Sequence, residues 1–296
     1  MQTLAAGRPF AFIGAGRAGS TWFYEVLREH PSVIVPPNKG TFYFSGQYER
    51  GFDWYRSFFP QSPRDVAVGE VCEDYLSHPE ALRRIRTYRP EIRLICCLRN
   101  PYERALSAWR FFGRSGILEP SLVAQAASRP DIFEQGYYAT HLARLMSLFP
   151  QEQVLIFFFE ELTRSPEEVV RRAYEFIGVD PEFAPEALSE KVNSAATARV
   201  PFLARAAHAT NMYLRRRSYL SAKAIEWVKG IRPLRHWIRS TLYVAQPGVG
   251  AWRAHLAEFP DEVVARYESE IDVLERMLRR DFSGWRICPS SASRET

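Results

Sequence analysis

Lysine is scarce in this 296-residue chain: Lys39, Lys191, Lys223 and Lys229 are the only four. Arginine therefore carries almost all of the positive charge behind the net value of +5. Moderate basicity of this kind suits an anionic ligand or a solvated arginine-rich face. Runs such as Arg83-Arg84 and Arg215-Arg216-Arg217 read as surface, and no nucleic-acid module surrounds them. Cysteine is scarce as well. Cys96 and Cys97 are strand neighbours that face opposite sides and cannot easily bridge. Without a C-x-x-C pair, neither a zinc site nor a redox motif is indicated, and the thiols read as buried and free in a reducing compartment. No long hydrophobic run exists. The longest lies near Phe157–Phe159, far short of the roughly 20 residues of a membrane span. The opening MQTLAAGRPFAFIG lacks the layout of a signal peptide, so the expectation is a cytoplasmic protein with no transmembrane segment. Finally, no Asp or Glu occurs between Glu29 and Glu49, a gap that matters for the first motif.

What is present is a strand–helix alternation. Residues 9–14 are apolar and β-prone, and helical spacing follows from Ser20 to His30, where Pro31 stops it. SVIVPP reads as a short second strand. The aromatic stretch from Gly40 to Pro60 reads as an irregular loop. Strands are expected at 66–71, 92–98 and 153–162, and helices at 79–88, 101–113, 132–148, 166–178 and 260–280. Strands this apolar, alternating with helices, predict an α/β fold: a central parallel sheet covered by helices on both faces. Such sheets bind ligands at the carboxyl ends of their strands. No linker divides the chain, so one domain is expected over 1–296, with an α/β core at 1–184 and a mainly helical part at 185–296.

The loop after the first strand, FIGAGRAGSTWF at 12–23, admits three readings. Gly14, Gly16 and Gly19 spell G-x-G-x-x-G, but a dinucleotide fold requires an acidic residue at the end of the second strand. That residue is missing, because the strand runs into Val35-Pro36-Pro37-Asn38-Lys39. A triphosphate loop requires G-K-[S/T], and the chain has Arg17-Ala18-Gly19-Ser20-Thr21 instead. The third reading is a phosphate loop whose ligand charge is met by side chains. Gly19 brings the backbone close, the helix starting at Ser20 offers converging N–H groups, Ser20 and Thr21 add hydroxyls, and Arg17 adds a fixed cation. A second cluster, L-R-N-P-Y-E-R-A-L-S-A-W at 98–109, places Arg99 at a strand end and Ser107 two turns into the next helix. Both could converge on a second phosphate. Arg104 reads as structural, pairing with Glu103 or a neighbouring helix.

Together, R-A-G-S-T-W after the first strand and R-N-P-x-x-R-A-x-S-x-W after a later one resemble the PAPS-dependent sulfotransferases. The likeness is to the carbohydrate-type branch that includes the heparan sulfate enzymes and their bacterial relatives. H-P-S-V, P-P-N-K, R-G-F-D-W-Y-R-S-F-F, G-E-V-C-E-D-Y-L and R-D-F-S-G-W follow in order, and the likeness is good over 9–180 and loose over 185–255. The resemblance implies a P-loop-like sulfotransferase fold and 3′-phosphoadenosine-5′-phosphosulfate (PAPS) as sulfuryl donor, with no metal. The acceptor would be a hydroxyl or amine of a glycan, glycolipid or secondary metabolite. It assigns Arg17, Ala18, Gly19, Ser20, Thr21 and Trp22 to the 5′-phosphosulfate, and Arg99 with Ser107 to the 3′-phosphate.

The chain departs from that pattern twice. Arg17 stands where the family usually has lysine, which keeps the charge but removes a proton donor. In heparan-type relatives the motif after the second strand is K-E-x-H-F-F, with the glutamate as general base. Here it is Lys39-Gly40-Thr41-Phe42-Tyr43-Phe44, so lysine remains and the base is absent. Lys39 is then expected to stabilise the transferring sulfuryl oxygens. Glu73 is expected to replace the base, at a position where some bacterial relatives carry histidine; Asp74 and Glu70 are the alternatives. Loss of the glutamate also leaves open a catalytically degenerate nucleotide-binding protein. His30, His78 and His141 read mainly as structural, with His141 the one that could face a cleft. Of the aromatics between Phe42 and Phe59, most read as core beneath the loop, and Trp22 and Trp109 as packing residues.

Overall fold

The computed structural model describes residues 7–59, 65–114, 121–189 and 252–287, and the backbone of 196–198 and 243–245. Five parallel strands make the central sheet: β1 (Arg8–Gly14), β2 (Val33–Ile34), β3 (Ala67–Val71), β4 (Arg93–Leu98) and β5 (Val154–Phe158). They lie in the order β2-β3-β1-β4-β5. Side chains of β1, β3 and β4 are buried almost without exception, which requires cover on both faces. On one face, α1 (Ser20–Glu29) and α10 (Pro166–Ile177) are tied together where Tyr174 Oη donates to the Val26 carbonyl at 2.7 Å. A second group forms where α8 (Tyr138–Leu148) packs against α4 (Pro79–Tyr88) and against the long C-terminal helix α11 (Asp261–Leu278).

The strand order fixes where a ligand can sit. From β1 the chain runs outward to β2 and β3 on one side, and then crosses to β4 and β5 on the other. The carboxyl ends of β1 and β4 are therefore adjacent while their following segments diverge, which opens a crevice between them. The first loop stays attached to β4 beyond the sheet, because Ala15 N–H donates to the Cys97 carbonyl at 2.9 Å.

Several expected elements are shorter or divided. The second strand holds only two residues, because Pro36 and Pro37 cannot continue a ladder. The helix expected over 132–148 is two: α7 (Asp131–Glu134) and α8. They separate at Gly136, where a Cβ would lie 3.1 Å from Pro101 Cβ and 3.0 Å from the Tyr267 ring. This close approach seats the start of α5 (Pro101–Arg114). The strand expected over 153–162 ends at Phe158, and α9 (Phe159–Arg164) follows directly. Glu161 accepts the Phe158 N–H at 3.3 Å and starts that helix. The aromatic loop contains two short helices, α2 (Tyr43–Gly46) and α3 (Phe52–Arg56), and a further helix, α6 (Leu122–Ser128), was not anticipated. The expected helical stretch from 185 to 255 lies mostly outside the described residues; within it, 196–198 and 243–245 pair as an antiparallel ladder.

The chain after α11 is clasped onto the core by Arg286. Its guanidinium lies 2.5 Å from Asp272 and 2.6 Å from Glu275, and its carbonyl accepts from Arg253 at 3.0 Å. Nearby, Trp285 Nε1 donates to Glu160 at 2.9 Å. Arg286 itself is nearly buried, while its carboxylate partners are part-exposed. Replacing Arg286 by alanine should therefore lower unfolding stability by about 1–3 kcal/mol, read from urea denaturation. An unchanged midpoint would show that the clasp contributes nothing.

Candidate active site

The first loop is built from backbone that few residues tolerate. Gly14 has φ +139° and Gly19 φ +88°. At Gly19 a Cβ would meet Leu162 Cδ2 at 2.5 Å, so α9 can press against the loop only because the side chain is absent. Arg17 is also left-handed, at φ +69°. Gly19 is the N-cap of α1 and supplies no side-chain cap, and the first turn of the helix carries no acidic residue. The leading N–H groups and the positive end of the helix dipole thus face the crevice without a protein anion against them.

Both sequence clusters meet there. One pocket is lined by Arg17, Gly19, Ser20, Thr21, Arg99, Ser107 and Phe159. Arg17 Nε donates to Ser107 Oγ at 3.3 Å, and its guanidinium sits 4.5 Å from the Phe111 ring centroid. Arg99 Nη1 donates to the Arg17 carbonyl at 3.3 Å. Two arginines, three hydroxyls and the helix terminus therefore surround one small space. Ala18 and Trp22 belong to the same loop and helix but are buried in the core, Trp22 edge-on to Phe23; their side chains are not part of the lining. Phe159 was not singled out from the sequence. The expected strand ran through it, and only the helix start marked by Glu161 turns it toward Arg99 and Gly19.

At the edge of this pocket stands an ion pair. Lys39 Nζ lies 2.7 Å from Glu73 Oε2 and 3.4 Å from Thr21 Oγ1, so one ammonium links the carboxylate to the pocket wall. Glu73 also borders a narrow crevice under the loop with Ala15, Gly16, Leu76, Ser77 and Gln135. The two alternative carboxylates are committed elsewhere. Glu70 accepts from Thr41 N–H, Thr41 Oγ1, Tyr55 Oη and Tyr75 Oη, at 3.1, 2.7, 2.9 and 2.9 Å. It is fully enclosed, and burial raises its pKa even against those four hydrogen bonds. Asp74 accepts from Ser45 Oγ at 2.8 Å and from the Cys72 thiol at 3.1 Å, and burial raises its pKa as well.

Gly40 is held at φ +75°, and a Cβ there would touch the Phe42 ring at 2.9 Å. The backbone is shaped around a glycine, and a glutamate could not be inserted without moving Phe42. The aromatics beyond it are largely core: Tyr43 stacks on Tyr55 at 4.5 Å, and Phe44, Phe58 and Phe59 are buried. Arg104 is fully buried and donates to the Ile132 carbonyl and to Gln135, which makes it a structural tie to α7 rather than a partner of Glu103. His141 is enclosed, with Nε2 2.8 Å from the Glu134 carbonyl, and burial lowers its pKa. His78 accepts the Ala81 N–H and caps α4, while His30 bridges Ser32 and Asp180. Among the described residues, no group of acidic, histidine and cysteine side chains could hold a metal, and no helix is long and apolar enough to cross a membrane.

A family model described as "Sulfotransferase domain" matches residues 9–259, and the chain belongs to that family. It is 31% identical over 180 residues to human heparan sulfate glucosamine 3-O-sulfotransferase 6, an alignment covering 56% of this chain and 51% of that one. It is 30% identical over 200 residues to human bifunctional heparan sulfate N-deacetylase/N-sulfotransferase 3, covering 59% and 22%. The chain thus spans between about a fifth and a half of these curated relatives. In fold it is similar to a sulfotransferase from Alicyclobacillus acidocaldarius, with a TM-score of 0.64 at 23% identity, covering 94% and 99% of the two chains. That architecture is the parallel sheet flanked by helices expected from the sequence.

Because Glu70 holds its proton more tightly folded than unfolded, its contribution is complete below the ordinary carboxyl value near 4.5 and is lost as pH rises through the higher folded value. Over that interval the wild-type protein should lose stability with pH relative to Glu70→Gln, measured by denaturant unfolding at successive pH values. Parallel curves for the two proteins would contradict it.

Proposed function

We propose that the protein transfers a sulfuryl group from PAPS to an acceptor hydroxyl or amine, releasing adenosine 3′,5′-bisphosphate. The observation that carries the reading is the single pocket in which Arg17, Ser20 and Thr21 meet Arg99 and Ser107. A donor with a phosphate at each end of one nucleoside needs two anion-binding groups close together, and this pocket supplies both with no acidic residue in its lining. Arg17, Gly19, Ser20 and Thr21 would hold the 5′ side, with the buried Ala18 and Trp22 shaping the backbone beneath it. Arg99 and Ser107 would hold the 3′-phosphate. PAPS supplies a sulfuryl group already attached to a good leaving group, so the chain's task is positioning and charge stabilisation.

Glu73 takes the proton from the acceptor, and Lys39, 2.7 Å from Glu73 Oε2 and within reach of Thr21, places its ammonium between base and pocket. Glu73 is the carboxylate of the acidic segment that remains available, since Glu70 and Asp74 are spent on the loop. The names of the relatives include both N- and O-sulfotransferases of heparan sulfate, which supports a glycan among the acceptors; glycolipids and secondary metabolites are the other classes. Residues 1–296 act as one domain in this reading.

Radiolabelled sulfuryl transfer from PAPS to a panel of glycan, glycolipid and phenolic or amine acceptors tests it. Glu73→Gln should lower turnover by about 10²–10⁴-fold and leave donor affinity within about threefold. Full turnover in that variant removes Glu73 as the base. Tight nucleotide binding with no transfer to any acceptor would favour a degenerate binding protein, for which the glycine-shaped backbone at Gly40 is the supporting feature.

A further inference from the structure

Arg99 is held on more sides than a ligand-binding cation requires. Its Nε and Nη2 both donate to Glu103 Oε2, at 3.2 and 3.0 Å. Its Nη1 donates to the Arg17 carbonyl. One face of the guanidinium lies against Phe159, 4.4 Å from the ring centroid. Phe159 lines the pocket with Arg99, whereas Glu103 stands outside that lining, against the Nε/Nη2 edge of the guanidinium. Arg99 and Glu103 are separated by one turn at the start of α5, where Asn100 Oδ1 accepts the Tyr102 and Glu103 N–H groups at 3.0 and 3.3 Å. Glu103 is therefore anchored on a capped first turn and presents its carboxylate sideways to Arg99.

We propose that Glu103 is a positioning residue for the anion pocket. It fixes the Arg99 guanidinium in the orientation that presents its remaining N–H groups to the ligand phosphate. A free arginine side chain samples many rotamers, and immobilising one on binding weakens the complex. Here the edge, the end and the face of the guanidinium are fixed before any ligand arrives. A carboxylate beside an anion site also repels the ligand, so charge and positioning have opposite signs, and removing Glu103 alters both at once. The inference rests on the donor reading above for the identity of the phosphate, but the immobilisation of Arg99 does not.

The two effects separate in a pair of variants. Glu103→Gln and Glu103→Ala remove the same charge, but only glutamine keeps an oxygen that can accept from the Arg99 edge. Calorimetric titration with adenosine 3′,5′-bisphosphate should show Glu103→Ala binding about five- to tenfold more weakly than Glu103→Gln. Equal affinities in the two variants would overturn the proposal, as would tighter binding by the alanine variant. Phenylglyoxal labelling without ligand, mapped by peptide mass, gives a second readout. Arg99 should be modified several-fold faster in Glu103→Ala than in Glu103→Gln, with no such difference at Arg280, an exposed arginine paired elsewhere. An unchanged Arg99 rate would overturn the positioning role by itself. Failure of the wild-type protein to bind the bisphosphate would instead sink the donor assignment, and the labelling rates would still decide the role of Glu103.

Discussion

The contact on which the site depends is the hydrogen bond from the Arg99 guanidinium to the Arg17 carbonyl. It joins the loop after β1 to the end of β4, the two neighbouring strands whose following segments part company. Two arginines brought this close would ordinarily repel. They are kept together because one offers a carbonyl to the other, because Ser107 accepts from Arg17, and because Glu103 balances Arg99 from outside. The result is a concentration of positive charge and N–H donors that exists before any ligand arrives. In the terms of electrostatic catalysis, the reorganisation has been carried out during folding.

A second constraint sets the segment that carries Lys39. Glu70 is buried at the end of β3 and gathers Thr41, Tyr55 and Tyr75, so it fixes the segment that carries Lys39 and Gly40. That segment turns at Gly40 in a conformation few other residues would accept. Only two residues beyond the end of the strand, Glu73 emerges next to Lys39. A buried carboxylate that organises the loop is thus followed, three residues on, by a part-exposed one that meets the lysine.

The residues that could be read in the sequence were those whose backbone chemistry is local. Gly14, Gly19, Ser20 and Thr21 announce a tight turn entering a helix, and Arg99 after an apolar run announces a strand end. The parallel sheet followed from strands too apolar to face water. What could not be read depended on contacts distant in sequence. The break at Gly136 exists because Pro101 and Tyr267 approach it, and Phe159 enters the pocket because a helix starts where the apolar run still suggests strand. The commitment of Glu70 and Asp74 to Thr41, Ser45 and their neighbours is likewise tertiary and is not marked in the local sequence.

In the proposed reading, two anion-binding groups grip opposite ends of one nucleotide. Its most direct test is the affinity of the wild-type protein and of Arg99→Met for adenosine 3′,5′-bisphosphate, adenosine 5′-phosphate and adenosine 3′-phosphate. The bisphosphate should bind the wild-type protein at least about tenfold more tightly than either monophosphate, and Arg99→Met should remove the advantage over the 5′-phosphate. Equal affinity for all three ligands, or a bisphosphate advantage that survives the loss of Arg99, would contradict it.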